Sequence, residues 1–155
     1  MLPLDVADAE SREQLAADVL ERTGGQLDAL VNNAGYGEVG PMETMALDRA
    51  RSMFEVNVFG LMGLTQLLLP AMRDRRRGRV VNVSSIAGRF ATPGAGWYCA
   101  SKHAVEAISD AMRLELHQFG IQVVIVEPGL IRTGFEQASA ESMDQGGKDP
   151  IWGEM

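Results

Sequence analysis

The sequence predicts an α/β fold in which a parallel sheet is covered by helices. Two observations support this class. Short apolar runs rich in β-branched residues alternate with longer segments that have helical periodicity, and the short runs are apolar almost without interruption. Strands of that kind are typical of parallel sheets, whose two faces are both buried. The alternation therefore predicts the order β-α-β-α-β-α-β along the chain.

The first half of the chain is predicted to hold two strands and one helix. Residues 2–6 are largely apolar and are expected to form a strand that is already under way at the first residue. A helix is expected from about 11 to 22, because Asp8 or Ser11 can cap its start and a glycine pair follows its end. Residues 27–31 are predicted to be the next strand.

The second half is predicted to begin with a long helix that reaches about residue 75. Thr44 or Asp48 could cap its start, and its high apolar content suggests burial on more than one side. The remaining predicted elements are a strand at 79–83, a helix at 97–119 and a strand at 121–126.

Composition limits the classes of partner. The 155 residues make one domain by length, with 46% hydrophobic and 23% charged residues. A net charge of −7 argues against nucleic acid. The arginine cluster at 73–79 follows a predicted helix, where cations complement the helix dipole, so we prefer that explanation to a phosphate-binding patch. The single cysteine, Cys99, excludes an intrachain disulfide and is expected to serve packing.

No targeting segment is expected. The first residues have neither a basic start nor a long apolar core. The most apolar stretch, at 56–72, contains polar residues and a proline and is too short for a confident membrane span. We therefore expect a cytoplasmic protein that uses no membrane and no metal ion.

Three residues form a candidate catalytic group. Ser85 follows strand 79–83, at the end where open α/β sheets place their ligands. Tyr98 and Lys102 are four apart and share one face of the next helix. A lysine ammonium one turn away is expected to lower the tyrosine pKa, which would make Tyr98 a general acid/base for an alcohol and carbonyl pair. The alternative is that these are ordinary helix and turn residues.

Six motifs occur in the order and approximate spacing of a known family. They are L-D-V at 4–6, N-N-A-G at 32–35, F-E-V-N-V-F-G around Asn57, N-V-S-S-x-A-G at 82–88, Y-C-A-S-K at 98–102 and P-G-L-I-R-T at 128–133. On these motifs the chain resembles the short-chain dehydrogenase/reductase family. The resemblance implies a Rossmann-like, doubly wound parallel sheet with helices on both faces. It also implies an oxidoreductase that interconverts a secondary alcohol and a ketone with NAD or NADP.

The resemblance assigns roles to individual residues. Tyr98 would be the acid/base, Lys102 would hold the nicotinamide ribose and Ser85 would orient the substrate oxygen. Asn57 would hold a water that connects Lys102 to solvent, although an asparagine bonded to backbone is the alternative. The cofactor-binding residues that the family implies are Asp5, Val6, Asn33, Ala34, Gly35, Tyr98, Lys102, Pro128, Gly129, Ile131 and Thr133.

The chain also departs from the family. Nothing in it plays the part of the family's N-terminal glycine-rich turn, so we expect a partial domain, with a core at 1–128 and a substrate lid at 129–155. Residues 35–40 spell G-x-G-x-x-G, but Pro41 prolongs a loop where the dinucleotide fingerprint should open into a helix. We therefore reject that fingerprint. The residue that selects NAD or NADP cannot be identified.

Two further expectations concern partners. Aromatic residues and a proline suggest an apolar pocket for a small alcohol or ketone, or else surface contacts; they are Phe90, Pro93, Trp97, Phe135 and Trp152. The resemblance also implies a homo-oligomer through the helices at 45–75 and 97–119. The alternative function is a non-catalytic fragment or association module that pairs through those helices.

Overall fold

A three-stranded parallel sheet forms the centre of the protein. The computed structural model describes residues 1–129, and the statements below concern that part of the chain. The strands, in spatial as well as chain order, are β1 at Ala29–Asn32, β2 at Gly78–Val83 and β3 at Ile121–Val126. Leu30 pairs with Val80, and Val80 pairs with Val123, so side chains in this row share one face. The predicted parallel α/β fold is confirmed.

Four α-helices accompany the sheet. They are α1 at Ala9–Thr23, α2 at Leu47–Phe54, α3 at Leu61–Asp74 and α4 at Gly96–His117. A π-helical turn, Glu55–Gly60, joins α2 to α3 without a break, and a single turn of 3₁₀ helix, Ile86–Gly88, lies between β2 and α4. The sequence pattern predicted the long helix but not its π-helical turn.

One face of the sheet carries the core. Alternate side chains of the strands, including Leu30, Val80 and Val123, are buried against α1, α3 and α4. Met72 and Met112 complete this cluster from α3 and α4. Since hydrophobic burial is the main force that docks helices on a sheet, this face holds the described part of the chain together.

The opposite face of the sheet is open in the part described. Val31, Val124 and Val126 point away from the core cluster and are 59%, 38% and 42% exposed. We predicted helices on both faces of the sheet, and the helices within residues 1–129 cover one of them. Apolar strand residues that alternate with the core positions are what a sheet covered on both sides requires.

Buried polar side chains tie the core face together. Asn32 Nδ2 donates to Thr65 Oγ1 at 2.9 Å and to Asn82 Oδ1 at 2.8 Å. Asn82 Nδ2 donates to Ser109 Oγ at 2.8 Å, and the Ser109 hydroxyl donates to the Val105 carbonyl. We call Asn32, Thr65, Asn82 and Ser109 the polar ladder; it links β1, β2, α3 and α4.

The predicted start and end of α1 are confirmed. Asp8 precedes the helix, and its carboxylate accepts the Ser11 backbone N–H at 2.7 Å. Gly24 ends the helix at φ 59°, in the left-handed region that glycine enters without steric cost.

Two local predictions are wrong. Residues 2–6 form no strand, because a strand exists only in a ladder and no described strand lies beside them. The long helix begins at Leu47 after Ala46, which makes no side-chain cap, so neither Thr44 nor Asp48 caps it. Asp48 instead lies in the first turn, where a carboxylate favours the positive end of the helix dipole.

Within residues 1–129, one helical run is long and apolar enough to cross a membrane by length and composition alone. It is Leu47–Asp74, and 44% of its most apolar 18-residue stretch is buried inside the protein. Core helices pass the same test, and this run contributes Leu64, Leu68 and Met72 to the core cluster. We therefore describe it as a core helix.

Candidate active site

The candidate catalytic residues meet at the carboxyl end of β2. Ser85 lies two residues beyond the strand, and α4 brings Tyr98 and Lys102 to the same place in its first two turns. A hydrogen bond joins the Ser85 hydroxyl and the Tyr98 phenol. The predicted proximity of these three residues is therefore what the structure has, at the edge of the sheet where α/β proteins bind their ligands.

Ser85 is held by the start of the 3₁₀ turn. Its backbone is extended, and its Oγ accepts the Ala87 backbone N–H at 3.1 Å. The next N–H, that of Ile86, donates to the Pro128 carbonyl at 3.0 Å, so the end of β3 also fixes this segment. Because Oγ is an acceptor towards Ala87, its own proton is available to the Tyr98 oxygen.

Burial dominates the protonation of Tyr98. It raises the tyrosine pKa above the ordinary value, the hydrogen bond with Ser85 lowers it, and the nearby Cys99 raises it to a smaller extent. The expected lowering by Lys102 is therefore not what this geometry gives. The lysine Nζ lies 5.9 Å from the centre of the tyrosine ring and donates to a carbonyl instead.

Lys102 is a buried cation. It is 5% exposed, its Nζ donates to the Val83 carbonyl at 3.0 Å, and burial lowers its pKa from 10.5 to about 8. Desolvation disfavours the charged form of a lysine, which explains the direction. A lysine in this state exchanges a proton near neutral pH far more readily than one in water.

Asn57 lies in the π-helical turn and faces inward. Its Oδ1 accepts the Tyr36 backbone N–H at 3.0 Å, and its Nδ2 donates to the Tyr36 carbonyl at 2.9 Å and to Ser101 Oγ at 3.0 Å. The side chain is thus the backbone-bonded asparagine of the alternative, and its relay role stays a prediction. π-Helical turns are frequent at functional sites, where they redirect a side chain.

Ser101 is a site residue that the sequence argument missed. It is fully buried, and its hydroxyl donates to the Tyr98 carbonyl at 2.8 Å while accepting from Asn57. It therefore joins the π-helical turn to the first turn of α4. The available signal was the position of a serine three residues after Tyr98, from which a hydroxyl can bond the preceding turn.

Five of the predicted cofactor residues follow strand ends at the same edge: Asn33, Ala34 and Gly35 come after β1, and Pro128 and Gly129 after β3. All of them are exposed except Pro128, which is partly buried. Asp5 and Val6 lie in the N-terminal segment, where Asp5 is exposed and Val6 is partly buried. Residues 33–41 contain no helix, in agreement with the rejection of the G-x-G-x-x-G fingerprint.

Close packing explains two glycines at this edge. A Cβ on Gly35 would lie 3.0 Å from Asn57 Oδ1 and 3.4 Å from Lys102 Nζ, so Gly35 brings bare backbone against the lysine. A Cβ on Gly60 would lie 2.4 Å from the Val6 carbonyl oxygen, so the helix touches the N-terminal segment directly. An exposed rim of small residues beside a buried lysine is suited to a flat ligand with ribose hydroxyls, and these residues fit a nicotinamide cofactor.

The residues predicted to line an apolar pocket differ in their burial. Trp97 packs edge to face on Phe54, with 6.3 Å between ring centres, while Phe90 is 50% exposed and Pro93 is also exposed. Ile131, Thr133, Phe135 and Trp152, like the predicted lid, lie outside the described residues.

Comparison with known proteins identifies the family. The family model described as short chain dehydrogenase matches residues 1–144. The chain is 45% identical over 132 residues to an uncharacterized oxidoreductase, YbbO, of Escherichia coli, which covers 85% of this chain and 49% of that protein. The chain spans about half the length of the curated relatives it matches.

Solved structures agree. A short-chain dehydrogenase from Streptomyces avermitilis superposes with a TM-score of 0.81 at 48% identity, over 84% of this chain and 47% of that one. ElxO, solved with NADP bound, superposes with a TM-score of 0.82 at 30% identity, over 91% of this chain and 57% of that one. Sequence, site geometry and fold therefore agree that the chain belongs to the short-chain dehydrogenase/reductase family, which is a family of oxidoreductases.

Proposed function

We propose that the protein interconverts a secondary alcohol and a ketone by hydride transfer with NAD or NADP. The observation that carries this proposal is the hydrogen bond between the Ser85 and Tyr98 hydroxyls, one helical turn from the buried ammonium of Lys102. Two hydroxyls that converge on one point can bind a single substrate oxygen, which both an alcohol and a ketone possess.

Each residue has one task in this proposal. Tyr98 gives its phenolic proton to the carbonyl oxygen during reduction and takes it back during oxidation. The Ser85 hydroxyl holds that oxygen in line with the phenol, since Ala87 fixes the serine rotamer. Lys102 supplies a mobile proton, because burial brings its pKa to about 8. Both amide hydrogens of Asn57 are already donated, so the relay water assigned to Asn57 in this proposal would donate to one of its oxygens. Bound nicotinamide supplies or accepts the hydride.

The cofactor would lie across the exposed rim at the strand ends. The residues that would hold it within the described part are Asp5, Val6, Asn33, Ala34, Gly35, Lys102, Tyr98, Pro128 and Gly129, with Ile131 and Thr133 beyond it. NADP in structures of similar fold supports a nicotinamide dinucleotide here. We propose NAD or NADP as the cofactor.

Partners are proposed from the same arguments. The substrate is a small alcohol or ketone, and the location is cytoplasmic. The intact protein forms a homo-oligomer through the α2–α3 run and α4. Phe59 on the first of these and Leu114 on the second are 58% and 81% exposed, which supports an apolar contact there.

The test is ketone-dependent consumption of NADH and NADPH by the intact protein. A panel of aliphatic, alicyclic and aromatic ketones would be screened with each cofactor, and the reverse reaction with the matching alcohols. We expect oxidation of at least one cofactor above the rate without ketone. Cofactor binding without turnover of any ketone or alcohol would contradict the proposed reaction.

A second candidate is a non-catalytic association module that pairs through the same helices. The exposed apolar side chains Phe59 and Leu114 on those helices favour it, since exposed apolar surface marks sites of association. A folded sample that forms a stable oligomer but shows no NADH or NADPH binding by fluorescence titration would support the module. Cofactor binding in the micromolar range would exclude it.

A further inference from the structure

Ser85 and Arg89 flank the 3₁₀ turn Ile86–Gly88 on its two sides. Ser85 begins the 3₁₀ turn and Arg89 follows its last residue, with the Arg89 N–H donating to the Ile86 carbonyl at 2.9 Å. The Gly88 N–H donates to the Ser85 carbonyl at 2.8 Å, so the turn is bonded internally at both ends. A displacement of Arg89 is therefore transmitted to Ser85 through a single helical turn.

The Arg89 side chain ties this turn to two other elements. Its Nη2 lies 3.0 Å from Glu106 Oε2 on α4, and its Nη2 and Nε lie 2.7 and 3.1 Å from Glu127 Oε1, directly after β3. The charge of Asp110, one turn beyond Glu106, adds to the same anionic surroundings. Arg89 is therefore the cation shared by α4 and the end of β3.

Glu106 is an unusual residue for such a contact because its side chain is 7% exposed. A buried carboxylate is costly unless a cation compensates it. Neither oxygen of Glu106 receives a hydrogen bond from another described residue, and the neighbouring Ser84 Oγ lacks one as well. Within residues 1–129 the Arg89 ion pair is the interaction that compensates this charge.

The packing around Gly88 shows how closely the turn rests on Glu106. A Cβ at that position would lie 2.7 Å from Ser84 Oγ and 3.0 Å from Glu106 Oε1. Glu106 is also four residues after Lys102 and eight after Tyr98, so the three lie on one face of α4. The contact between Arg89 and Glu106 therefore joins the Ser85 turn to the face of α4 that carries Tyr98.

We propose that Arg89, held by Glu106 and Glu127, is a positioning residue that keeps the Ser85 hydroxyl against the Tyr98 phenol. The relevance of this contact to turnover rests on the proposed function, but the contact itself is tested without turnover. Since the hydrogen bond from Ser85 lowers the Tyr98 pKa, loosening the turn raises it.

The experiment is a titration of Tyr98 by the ultraviolet absorbance of its phenolate. The sequence has two tyrosines, so Tyr36→Phe provides a background in which Tyr98 is alone. We expect Arg89→Met to move the titration to higher pH by the same amount as Ser85→Ala. The double variant should add nothing to either single variant, because both remove one hydrogen bond.

Controls separate positioning from charge and folding. Arg113→Met removes a different arginine, which lies on α4 and bonds Asp110 and the Val123 carbonyl, and should leave the titration in place. Arg89→Lys keeps the cation and should shift the titration less than Arg89→Met does. If Arg89→Met does not fold, Glu127→Gln weakens the same clamp from its exposed side and should move the titration in the same direction.

Two results would overturn the proposal. One is an unchanged Tyr98 titration in a folded Arg89→Met protein while Ser85→Ala shifts it. The other is an additive double variant, which would mean that Arg89 acts on Tyr98 through charge alone. If the intact protein turns over ketones, we also expect Arg89→Met to lower kcat about tenfold with KM within about twofold. The titration stands even if no ketone is reduced, so the two proposals fail separately.

Discussion

The polar ladder and the candidate active site are both built from polar side chains, but they differ in burial. Asn32, Thr65, Asn82 and Ser109 are each at most 7% exposed, and each is bonded to a partner within the protein. Ser85 and Tyr98 are instead only partly buried. Their hydroxyls bond each other at the mouth of the sheet, and burial raises the pKa of the tyrosine.

The two clusters are separated by very little sequence. Asn82 and Ser85 belong to the same N-V-S-S motif, and strand alternation directs Asn82 to the helices while Ser85 lies beyond the strand end. Closed hydrogen bonding stabilises a fold, whereas a group that can still bind a substrate atom must leave some capacity unused. What distinguishes the candidate catalytic residues from the ladder residues is thus where their partners lie, and not the residue type.

The largest stability effect should come from the ladder. We expect Asn82→Ala to lower the free energy of unfolding by about 3 kcal/mol, because it removes bonds to both Asn32 and Ser109 from a dry core. Urea unfolding measures this change. Asn33→Ala, one residue beyond β1 and exposed, is the control and should stay within about 0.5 kcal/mol of wild type. Equal effects of the two substitutions would contradict the comparison.

In the candidate active site, removing the buried charge of Lys102 should stabilise the fold. Burial lowers the folded-state pKa of Lys102 to about 8 from 10.5, so below pH 8 the charge is retained at a cost. We expect Lys102→Met to raise the unfolding free energy at pH 7 by about 2 kcal/mol.

The pH dependence has a defined sign. Between pH 8 and 10.5 Lys102 is deprotonated in the folded protein but still protonated in the unfolded chain, so the free energy of unfolding of the wild type rises with pH. The stability advantage of Lys102→Met therefore shrinks across this range and is absent above it. Arg51→Met, which removes a largely exposed cation of α2, should show no such convergence. A Lys102→Met protein that is less stable than wild type at pH 7 would be evidence against a costly buried charge.

A smaller stability effect is expected at Thr65, the ladder residue on α3. Thr65→Val keeps the shape of the side chain and removes the acceptor of the Asn32 amide, so a loss of about 1 kcal/mol is expected. Thr65→Val also removes the bond from its hydroxyl to the Leu61 carbonyl, four residues earlier. Thr23→Val removes the same kind of bond, to the Val19 carbonyl on exposed α1, and should cost less than about 0.5 kcal/mol. If thermal unfolding shows the same shift for both variants, burial does not strengthen the ladder.

Much of this architecture could be predicted, for identifiable reasons. The strands are short runs rich in β-branched apolar residues, and α1 carries its own cap in Asp8 and stop in Gly24. Ser85, Tyr98 and Lys102 could be predicted to meet because strand ends and helix faces follow simple periodicity.

The remainder depended on tertiary contacts. The π-helical turn places Asn57 against the Tyr36 backbone, a contact across 21 residues that no local pattern encodes. The Tyr98 pKa follows burial, which requires the neighbours, and the role of Ser101 appears only when α4 meets the π-helical turn. Residues 2–6 have the composition of a strand, but no strand within residues 1–129 lies beside them to pair with.

The central claim is that Tyr98 moves the proton in an alcohol and ketone interconversion. The most direct test is the turnover of the intact protein carrying Tyr98→Phe, with Tyr36→Phe as the matched loss of a phenolic hydroxyl. We predict that Tyr98→Phe lowers kcat by about a thousandfold while the Kd for NADPH stays within about twofold. Tyr36→Phe should retain most of the activity. Wild-type turnover in Tyr98→Phe would contradict the account.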